Sequence, residues 1–579
     1  MKGNGASCTR RGRDSALDGY MRAKVAVAKG GKCLSCAARC SSWACWCCFR
    51  WRGVPPLHLQ VPQCLHHILC PVVRPFGEPL ARGACHGGVA TAAPLSAQQE
   101  KLLSCADVLS IGCLALAIVA LYVIDSTQTK HAVRRNYPVI GRFRYIFETL
   151  GEYFRQYFFA MDREELPFNR AQRAWVYRAA KGVDTTVAFG STRDLRPAGT
   201  VTFANCPFPP LDQNAAETAV IEVGPYARTP YRTASLYNIS GMSYGAISKP
   251  AVLALSNGAR MAGVWLNTGE GGLSPFHLEG GADIVFQIGT AKYGCRDATG
   301  AMCDEKLKEL AAIEQIKMFE IKLSQGAKPG KGGILPGAKV TPEIAHIRGI
   351  PEGTDSISPN RHPEVENIPD LLDMISHVRE VTGKPVGFKL VLGAYDWLDD
   401  LCEEINARGI ENAPDFITVD SADGGTGAAP MPLIDYVGLP IWESLPMLCD
   451  ALERHKLKTR IRVNASGKLI TPAEVAWALC VGADFVCSAR GYMFSLGCIQ
   501  ALQCNKNTCP TGITTHNKRL QRGLDVTDKA ERVRRYAERV THEVCVIAHS
   551  CGVAEPRKLK RTHARIMGPD GVSVSLAEY

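Results

Sequence analysis

Eight short apolar runs divide the middle of the chain, and each ends at or beside a small or polar residue. The runs cover residues 237–243, 264–268, 284–288, 356–359, 386–392, 416–420, 461–465 and 484–488. Several are followed by stretches with helical periodicity, such as 369–381 and 472–479. Eight strand–helix units in succession favour an α/β fold, the parallel (β/α)8 TIM barrel. We therefore expect the active site at the C-terminal ends of the strands.

A long segment, 289–355, interrupts this alternation. Its pattern predicts a helix over 305–323 and then a loop rich in glycine and lysine, and loops of this length on a barrel are usually functional. Lys322, Gln325, Lys328 and Arg348 lie in or beside that loop. Their charges suit a dicarboxylate substrate. The alternative is a basic loop that only contacts solvent.

The predicted strand ends carry further candidates. Ser243 and Gly245 belong to a run of small residues against which a flat ligand can lie. Glu270 sits among glycines, either as a proton-handling group or as a solvated loop charge. Lys389 falls inside an apolar strand, where a lysine is costly to bury without a partner. That partner is the electron-rich edge of a flavin or the other half of a structural ion pair.

Glycines also end the last three predicted strands. Gly424 and Gly425 follow the sixth strand, Gly467 follows the seventh, and Ala489 and Arg490 follow the eighth. Barrels often hold a phosphate between the loops after strands seven and eight, through backbone N–H groups. We assign these residues to cofactor binding, with Arg490 adding positive charge.

Three cysteines follow the barrel pattern. Cys498, Cys504 and Cys509 are separated by five and then four residues, over a predicted helix (492–503) and loop (505–511). Three soft thiolates suit an iron–sulfur cluster, either three-iron or four-iron with one open corner. Zinc usually takes four ligands, and His516 is the fourth candidate nearby. Chance spacing is the remaining alternative, because the chain has 24 cysteines.

The N-terminal part has a different character. Residues 108–124 contain no charge and are just long enough to span a bilayer, although a buried core helix and a signal peptide pass similar tests. The basic residues that follow place the rest of the chain on the cytoplasmic side. We expect a disordered extension (1–104), a membrane helix (105–125), a helical lead-in (126–235), the barrel (236–525) and a C-terminal helix and tail (526–579).

Two further expectations concern these regions. The pair Cys33 and Cys36 could bind a metal, but the spacings around it match no closed site. In the lead-in, aromatic and apolar residues recur at roughly helical spacing, and we interpret them as packing, with Trp175 and Tyr177 docking the segment onto the body; they are Tyr145, Phe147, Leu150, Tyr153 and Phe154. The net charge of +11 is concentrated towards the N-terminus, and no basic stripe with aromatics marks the body, so we exclude nucleic acid as a partner.

Taken together, these motifs resemble the FMN-binding domain of glutamate synthase, in its stand-alone, membrane-anchored form. The resemblance runs from about 236 to 550 and rests on GMSYG, NTGEGG, KLSQGAKPGKGG, DSADGGTGAAP and the cysteine spacing before Pro510. It implies that Cys498, Cys504 and Cys509 hold a [3Fe–4S] cluster that passes electrons to FMN. It implies FMN contacts for Ser243, Lys389, Gly467 and Ala489.

The resemblance also implies a reaction. Lys322, Gln325, Lys328 and Arg348 match positions that hold 2-oxoglutarate, and Glu270 matches an acidic residue near the ammonia path. Ammonia would add to 2-oxoglutarate, and reduced FMN would then deliver a hydride to give L-glutamate. We assign Glu270 and Lys328 to catalysis. Nothing in the chain resembles a glutaminase domain or an NAD(P)H-binding fingerprint, so a separate glutaminase subunit, and ferredoxin or another electron-donor protein, are the expected partners.

Two positions depart from the family pattern, which usually has glutamine at Ile334 and an acidic residue at Lys331. A related enzyme that uses another amine, of the N-methylglutamate synthase type, is therefore an alternative. A catalytically silent, membrane-anchored barrel that binds a partner is a second alternative. A non-redox phosphate-binding barrel is a third, although it would have no need of the cysteines.

Overall fold

Four helices precede the barrel in the computed structural model, which describes residues 97–216 and 218–579. They are α1 (Ala97–Thr127), α2 (Ala132–Asn136), α3 (Arg142–Phe154), which continues as a π-helical turn (Arg155–Phe159), and α4 (Arg170–Lys181). Within α1, the segment Asp107–Thr127 is long and apolar enough to cross a membrane, with a mean hydropathy of 2.4. The predictions for residues 1–96, including the Cys33–Cys36 site, lie outside the described residues.

A buried carboxylate connects the end of α1 to the beginning of α3. The side chain of Asp125 accepts hydrogen bonds from Arg134 Nη2 at 2.6 Å, from the backbone N–H of Val139 at 3.0 Å and from Arg142 Nε at 2.7 Å. A carboxylate is tolerated away from water only when such partners compensate its charge. Asp125 therefore fixes the path of the chain as it leaves α1.

Eight parallel strands form a closed ring, which confirms the predicted (β/α)8 barrel. The strands are β1 (Tyr237–Ile239), β2 (Leu266–Asn267), β3 (Ile284–Ile288), β4 (Ile316–Lys322), β5 (Val386–Leu390), β6 (Phe416–Asp420), β7 (Arg462–Ser466) and β8 (Phe485–Ser488). The ring closes where β8 pairs with β1, with Val486 opposite Tyr237 and Ser488 opposite Ile239.

Helices cover the outside of this ring. They are α5 (Lys249–Ala262), α6 (Pro275–Glu279), α7 (Asp304–Ala312), α8 (Pro342–Arg348), α9 (Ile368–Thr382), α10 (Trp397–Arg408), α11 (Met431–Tyr436), α12 (Ile441–Arg454), α13 (Pro472–Val481), α14 (Arg490–Ser495), α15 (Lys518–Gln521) and α16 (Val526–Ser550). Short antiparallel sheets are added by Ile221–Val223 with Tyr231–Thr233, and by Val201–Phe203 with Ala564–Met567 and Ser573–Ser575.

The fourth barrel strand differs from the sequence prediction. The helix expected over 305–323 ends at Ala312, and Ile316–Lys322 forms β4. The run 356–359, which was expected to be the fourth strand, contributes instead to a small hairpin in which Ser356–Ile357 pairs antiparallel with Ile334–Leu335. The physical reason is Glu320, which is buried in the barrel.

The Glu320 carboxylate accepts hydrogen bonds from three side chains on other strands. The donors are Asn267 Nδ2 at 2.8 Å, Gln287 Nε2 at 2.7 Å and Thr418 Oγ1 at 2.6 Å. These contacts compensate a buried charge only if the segment is a barrel strand, so tertiary structure overrides the local helical pattern.

Aromatic side chains fill the N-terminal end of the barrel. Trp265, Phe416 and Phe485 lie at or just before the first residues of their strands, and they cluster with Val223 and Tyr231 from the neighbouring hairpin. The Trp265 and Phe485 rings are 4.7 Å apart between centroids. Since this end is packed with side chains, the opposite end of the barrel is the one available for a ligand.

A close contact between α5 and α16 gives a test of the outer layer. A Cβ atom on Gly258 would lie 2.5 Å from Val533 Cβ and 2.7 Å from the Ala530 carbonyl oxygen. We expect Gly258→Ala to lower the free energy of unfolding by about 1–3 kcal/mol, because overpacking forces the two helices apart. Thermal denaturation measures this, with Gly523→Ala as the matched control because its nearest contact is an ordinary 3.6 Å. Equal melting temperatures for the two variants would contradict the close packing.

Candidate functional site

A cavity of about 370 Å³ opens at the C-terminal ends of the barrel strands. It is lined by Ser243, Glu270, Lys322, Gln325, Lys328, Arg348, Lys389, Gly424, Gly425, Gly467, Ala489, Arg490, Cys498, Cys504 and Cys509. These are all but one of the candidates chosen from the sequence. Gly245 is outside the lining, with φ at +105°, and its carbonyl group accepts a hydrogen bond from His516 Nε2 at 2.9 Å. Nε2 of His516 is thereby occupied by a carbonyl partner and is not free to bind a metal.

Glu270 lies at the centre of the charged residues in this cavity. Lys322 Nζ is 2.9 Å from Glu270 Oε2, and both side chains are largely buried. The same ammonium group donates to Gln325 Oε1, and Gln325 Nε2 donates to Thr426 Oγ1 at 3.0 Å. Because β4 ends at Lys322, this lysine projects from a rigid strand rather than from a loop.

The pKa values of these groups depend on one another. Burial raises the pKa of Glu270, but the charges of Lys322, Lys328 and Arg348 outweigh burial and hold that pKa below its ordinary value. Burial lowers the pKa of Lys328 to about 8, and the negative charge of Glu270 limits the fall. Glu270 is therefore an anion whose charge favours the protonated form of Lys328.

Arg348 is held rigidly at the cavity wall. Its guanidinium donates to Ser356 Oγ at 3.1 Å and lies over the ring of Tyr293, 5.2 Å from the centroid. Contacts to Ser243 Oγ and to the Tyr244 carbonyl oxygen are longer, at 3.4 Å each. Its buried Nε has no hydrogen-bond partner among the described residues. A buried donor without a partner is what an anionic ligand would satisfy.

The glycine-rich loop packs directly on Glu270. A Cβ on Gly333 would lie 2.4 Å from Glu270 Oε1. From outside the loop, Gly289 at the end of β3 approaches the same residue, since its Cβ would lie 2.6 Å from Glu270 Cβ. At its other end the loop is tied to the barrel, because the N–H of Gly326 donates to Asp420 Oδ2 at 2.9 Å. Glycine is required at these positions because the backbone approaches the carboxylate so closely.

Lys389 is ion-paired and also lines the cavity. Its Nζ is 3.3 Å from Asp420 Oδ2, which is the structural ion pair considered as an alternative. Burial lowers the pKa of Lys389, but the carboxylates of Asp420 and Glu320 outweigh it and raise that pKa. A permanently charged ammonium group therefore faces the cavity.

Glycines just beyond the ends of β6 and β7 leave the protein backbone uncovered, so a ligand can contact its N–H groups there. Gly467 has φ at +134°, and a Cβ there would lie 2.2 Å from Ser421 Oγ. Ser421 Oγ is buried without a hydrogen-bond partner among the described residues. A Cβ on Gly425 would meet Arg490 Nε at 2.7 Å. Backbone without side chains at two adjacent strand ends suits the phosphate of a nucleotide cofactor, which backbone N–H groups can bind.

The cysteines lie on a loop, where the sequence predicted a helix as far as residue 503. Helix α14 ends at Ser495, so Cys498 is already beyond it. Gln500, Leu502 and Asn507 have φ values of 57°, 53° and 59°, a left-handed conformation that is uncommon for residues other than glycine. Such strain concentrates at functional sites and persists only where the surroundings enforce it.

Contacts from the lead-in enforce this conformation. Gln500 Nε2 donates to Glu165 Oε1 and to the Phe168 carbonyl oxygen, both at 3.0 Å, and Gln500 Oε1 accepts from the Phe168 N–H at 3.2 Å. The carbonyl of Gln500 accepts a further hydrogen bond from Gln156 Nε2 at 3.1 Å. Every polar atom of the Gln500 side chain is thus fixed by residues more than 330 positions away in sequence.

The three thiols line one wall of the cavity. Burial raises the pKa of Cys498 to about 12 and also raises the pKa of Cys504. For Cys509, burial acts in the same direction, but hydrogen bonds from Thr511 and Thr514 outweigh it and lower the pKa. The N–H of Gln500 lies 3.5 Å from Cys498 Sγ.

The chemistry of this donor set is that of soft ligands. Three cysteine thiols line the same cavity, and thiolates are the ligands that iron–sulfur clusters take. No group of three or more potential ligands among residues 97–216 and 218–579 converges on one metal ion.

Several lining residues were not chosen from the sequence. Phe168 comes from the lead-in and supports the Arg490 guanidinium, which lies 4.7 Å from its ring centroid. No local pattern could have placed it there. Asp420 and Ser466 end their strands and are joined by a hydrogen bond of 3.0 Å. Their strand-end positions were a usable signal, but the neighbouring glycines received the assignment instead.

Residues 209–554 of this chain match the model of a protein family that is described as the conserved region in glutamate synthase. A glutamate synthase large subunit-like protein, YerD, of Bacillus subtilis is 39% identical over 507 residues, which are 80% of this chain and 96% of that protein. An archaeal glutamate synthase [NADPH] of Methanocaldococcus jannaschii is 34% identical over 344 residues. This chain spans 61% of the length of that relative.

The solved structures to which the chain is similar include mandelate oxidase with (S)-4-hydroxymandelic acid. It is 16% identical, with a TM-score of 0.42, and the match covers 68% of this chain and 98% of that one. A mutant flavocytochrome b2 with pyruvate bound has a TM-score of 0.39 at 15% identity, with 68% and 82% of the two chains covered.

The coupling between Glu270 and Lys328 can be measured directly. We expect Glu270→Gln to move the pKa of Lys328 below about 8, because the variant loses the negative charge that opposes burial. The pH dependence of Lys328 acylation, followed by peptide mass spectrometry, reports that pKa. Glu222→Gln is the control, since Glu222 pairs with Arg232 at 2.8 Å and does not line the cavity. An unchanged profile in Glu270→Gln would contradict the coupling.

Proposed function

The chain belongs to the glutamate synthase family, and on that premise we propose that it is an FMN- and iron–sulfur-dependent oxidoreductase that makes L-glutamate from 2-oxoglutarate and ammonia. One observation carries the proposal. A single cavity is lined by three thiols, by glycines suited to a phosphate and by a cluster of cationic side chains. This combination supports two redox cofactors beside an anionic substrate.

The residues of the chain have distinct roles toward FMN. Gly467, Ala489 and Arg490, which line the cavity, would hold its phosphate. Lys389 would place a positive charge against the flavin ring, held in position by its contact with Asp420. When bound, FMN would supply the hydride for the reduction.

The thiolates of Cys498, Cys504 and Cys509 would hold a [3Fe–4S] cluster. Their burial, which raises the pKa of Cys498 and Cys504, disfavours bare thiolates, so binding of iron would release protons. The left-handed backbone at Gln500 brings its N–H towards the sulfur of Cys498. Lys339 adds a buried positive charge, with its Nζ 3.3 Å from the Cys504 carbonyl oxygen.

The cationic cluster would bind the substrate. Lys328 and Arg348 would receive the two carboxylates of 2-oxoglutarate, since both are buried and both face the cavity. Glu270, kept anionic by these cations, would accept a proton from the incoming amine. The loop that packs on Glu270 would keep water from this step.

One observation favours a second candidate function. Ile334 lines the cavity and directly follows Gly333, whose Cβ position touches Glu270. An apolar side chain beside the proton acceptor suits an alkylamine better than ammonia. An N-methylglutamate synthase-type reaction would follow from that preference.

The membrane and partner assignments complete the proposal. Helix α1 would anchor the chain, with the barrel on the cytoplasmic side, because basic residues follow the apolar segment Asp107–Thr127. Ferredoxin or another electron-donor protein would supply electrons. Ammonia would come from solution or from a separate glutaminase subunit. The archaeal relatives carry NADPH in their names, but this chain spans 61% of the one from Methanocaldococcus jannaschii.

Removing one thiol at a time tests the cluster. We expect Cys498→Ser, Cys504→Ser and Cys509→Ser to lose iron and the EPR signal of an oxidised three-iron cluster, while they keep flavin. Cys303→Ser is the control, because that half-buried cysteine lies outside the cavity. Iron, sulfide and flavin are quantified on protein purified without oxygen. Wild-type protein with flavin and no iron would refute the cluster, and protein with neither would favour the silent barrel.

Two lysines of the same loop test the substrate. We expect Lys328→Gln to weaken 2-oxoglutarate binding about 10- to 100-fold, which corresponds to about 1.5–3 kcal/mol for a charged hydrogen bond. Lys331→Gln, three residues further on and exposed, should bind like the wild type. Perturbation of the flavin spectrum gives the dissociation constants, and turnover with ammonia and methylamine separates the two candidate reactions. Equal effects of both substitutions would contradict the assigned role of Lys328.

A further inference from the structure

The aromatic side chains of α3 lie mostly on its exposed side, against the interpretation that they pack on the body. Phe147 is 66% exposed, and Leu150 and Phe154 are 40% and 45% exposed. We call this surface the aromatic face; it consists of Phe143, Ile146, Phe147, Leu150, Phe154 and Phe158, all between 40% and 72% exposed. These positions recur every three to four residues, so they form one stripe along the helix and its π-helical turn. A stripe of this kind needs a covering partner.

A neighbouring side of the same helix is engaged with the protein. Tyr153 Oη accepts a hydrogen bond from Gln503 Nε2 at 3.3 Å, and Gln156 Nε2 donates to the Gln500 carbonyl oxygen at 3.1 Å. The helix is thus held on the cysteine loop by its polar side. The aromatic face consequently points away from that loop, and it cannot turn inward without breaking these contacts.

The beginning of the helix is fixed to the end of α1. Arg142, the first residue of α3, donates to Asp125, which lies within the apolar segment Asp107–Thr127 near its C-terminal end. The aromatic face therefore starts where a membrane-crossing α1 would leave the bilayer. No long linker separates the two, so this face can reach few surfaces other than that of the same membrane.

The charge of this stretch matches a lipid surface. Residues 125–159 contain six basic and three acidic residues, an excess of three positive charges, and two of the basic residues, Arg134 and Arg142, are paired with Asp125. Arg144 and Arg155 are exposed and lie beside the aromatic face rather than within it. A helix with an apolar face flanked by arginines binds in the headgroup region of membranes that contain anionic lipids.

From these observations we propose that α3 and its π-helical turn lie in the membrane interface, with the aromatic face inserted among the lipids of an anionic leaflet. This inference rests on the proposed anchoring by α1. It adds a second contact, which holds the cysteine loop next to the membrane surface rather than at the end of a flexible tether.

Photo-crosslinking of the full chain in vesicles of phosphatidylcholine and phosphatidylglycerol tests the proposal. The crosslinker p-benzoylphenylalanine replaces Phe147, Leu114 or Val572, which are 66%, 62% and 61% exposed in the protein. Leu114 lies in α1 and reports the anchoring alone, and Val572 is an exposed apolar control in the C-terminal tail. Mass spectrometry identifies what each position captures.

We expect lipid adducts at positions 147 and 114. We expect no lipid adduct at position 572. Lipid at 114 without lipid at 147 would overturn the inference and leave the anchoring intact. Absence of lipid at both would overturn the anchoring and the inference together. Capture of a second copy of the chain, or of another protein, at position 147 would identify a protein interface and overturn the lipid assignment.

Charge provides the second readout. Arg144→Gln combined with Arg155→Gln should reduce the lipid adduct at position 147 in vesicles with phosphatidylglycerol, while the adduct at 114 stays unchanged. Circular dichroism and iron content check that the variant is folded. Equal adduct yields with and without these arginines would contradict the role of anionic lipid.

Discussion

The carboxylate of Glu270 is the group that allows three cationic side chains to share one buried cavity. Without it, Lys322, Lys328 and Arg348 would repel one another in surroundings that already disfavour charge. The geometry around it is correspondingly tight, because glycine is required where the loop touches the carboxylate. An arriving dicarboxylate would reduce the same repulsion between the cationic side chains. Their positive charge is therefore balanced by negative charge both with and without the ligand. The cavity is in this sense organised around an internal anion.

The barrel and the helical lead-in depend on each other through the cysteine loop. The loop adopts an uncommon backbone conformation, which the hydrogen bonds of Gln500 with Glu165, Phe168 and Gln156 maintain. None of these residues belongs to the barrel. Phe168 also supports Arg490 at the opposite side of the cavity. The lead-in is therefore part of the site, although its sequence suggested only a connection between an anchor and a domain.

Much of the fold and of the site was predictable, because both depend on short-range patterns. Glycine-terminated apolar runs predict strands, and the strand ends gather the lining residues. The errors arose where distant contacts decide local structure. Ile316–Lys322 has the composition of a helix end, but Glu320 finds its hydrogen-bond donors only inside the barrel. The helix predicted through Gln503 failed because Gln500 is held by residues far away in sequence. The aromatic residues of α3 were expected to pack on the body, since periodicity marks an apolar face without saying what covers it.

Asp125 has a consequence for anyone who wishes to work with a water-soluble form of this protein. Cutting the chain after α1, the obvious place, would remove the carboxylate on which Arg134, Val139 and Arg142 converge. The new N-terminus would then carry two guanidinium groups and a backbone N–H without their acceptor, and it would add an ammonium group beside them. The first turn of α3 would then be the part of the helix most prone to unfold. Residues of α3 and its π-helical turn contact the cysteine loop. A truncation that retains residues 122–128, with the apolar side chains replaced by polar ones, removes most of the apolar helix and keeps the contacts of Asp125 with Arg134, Val139 and Arg142.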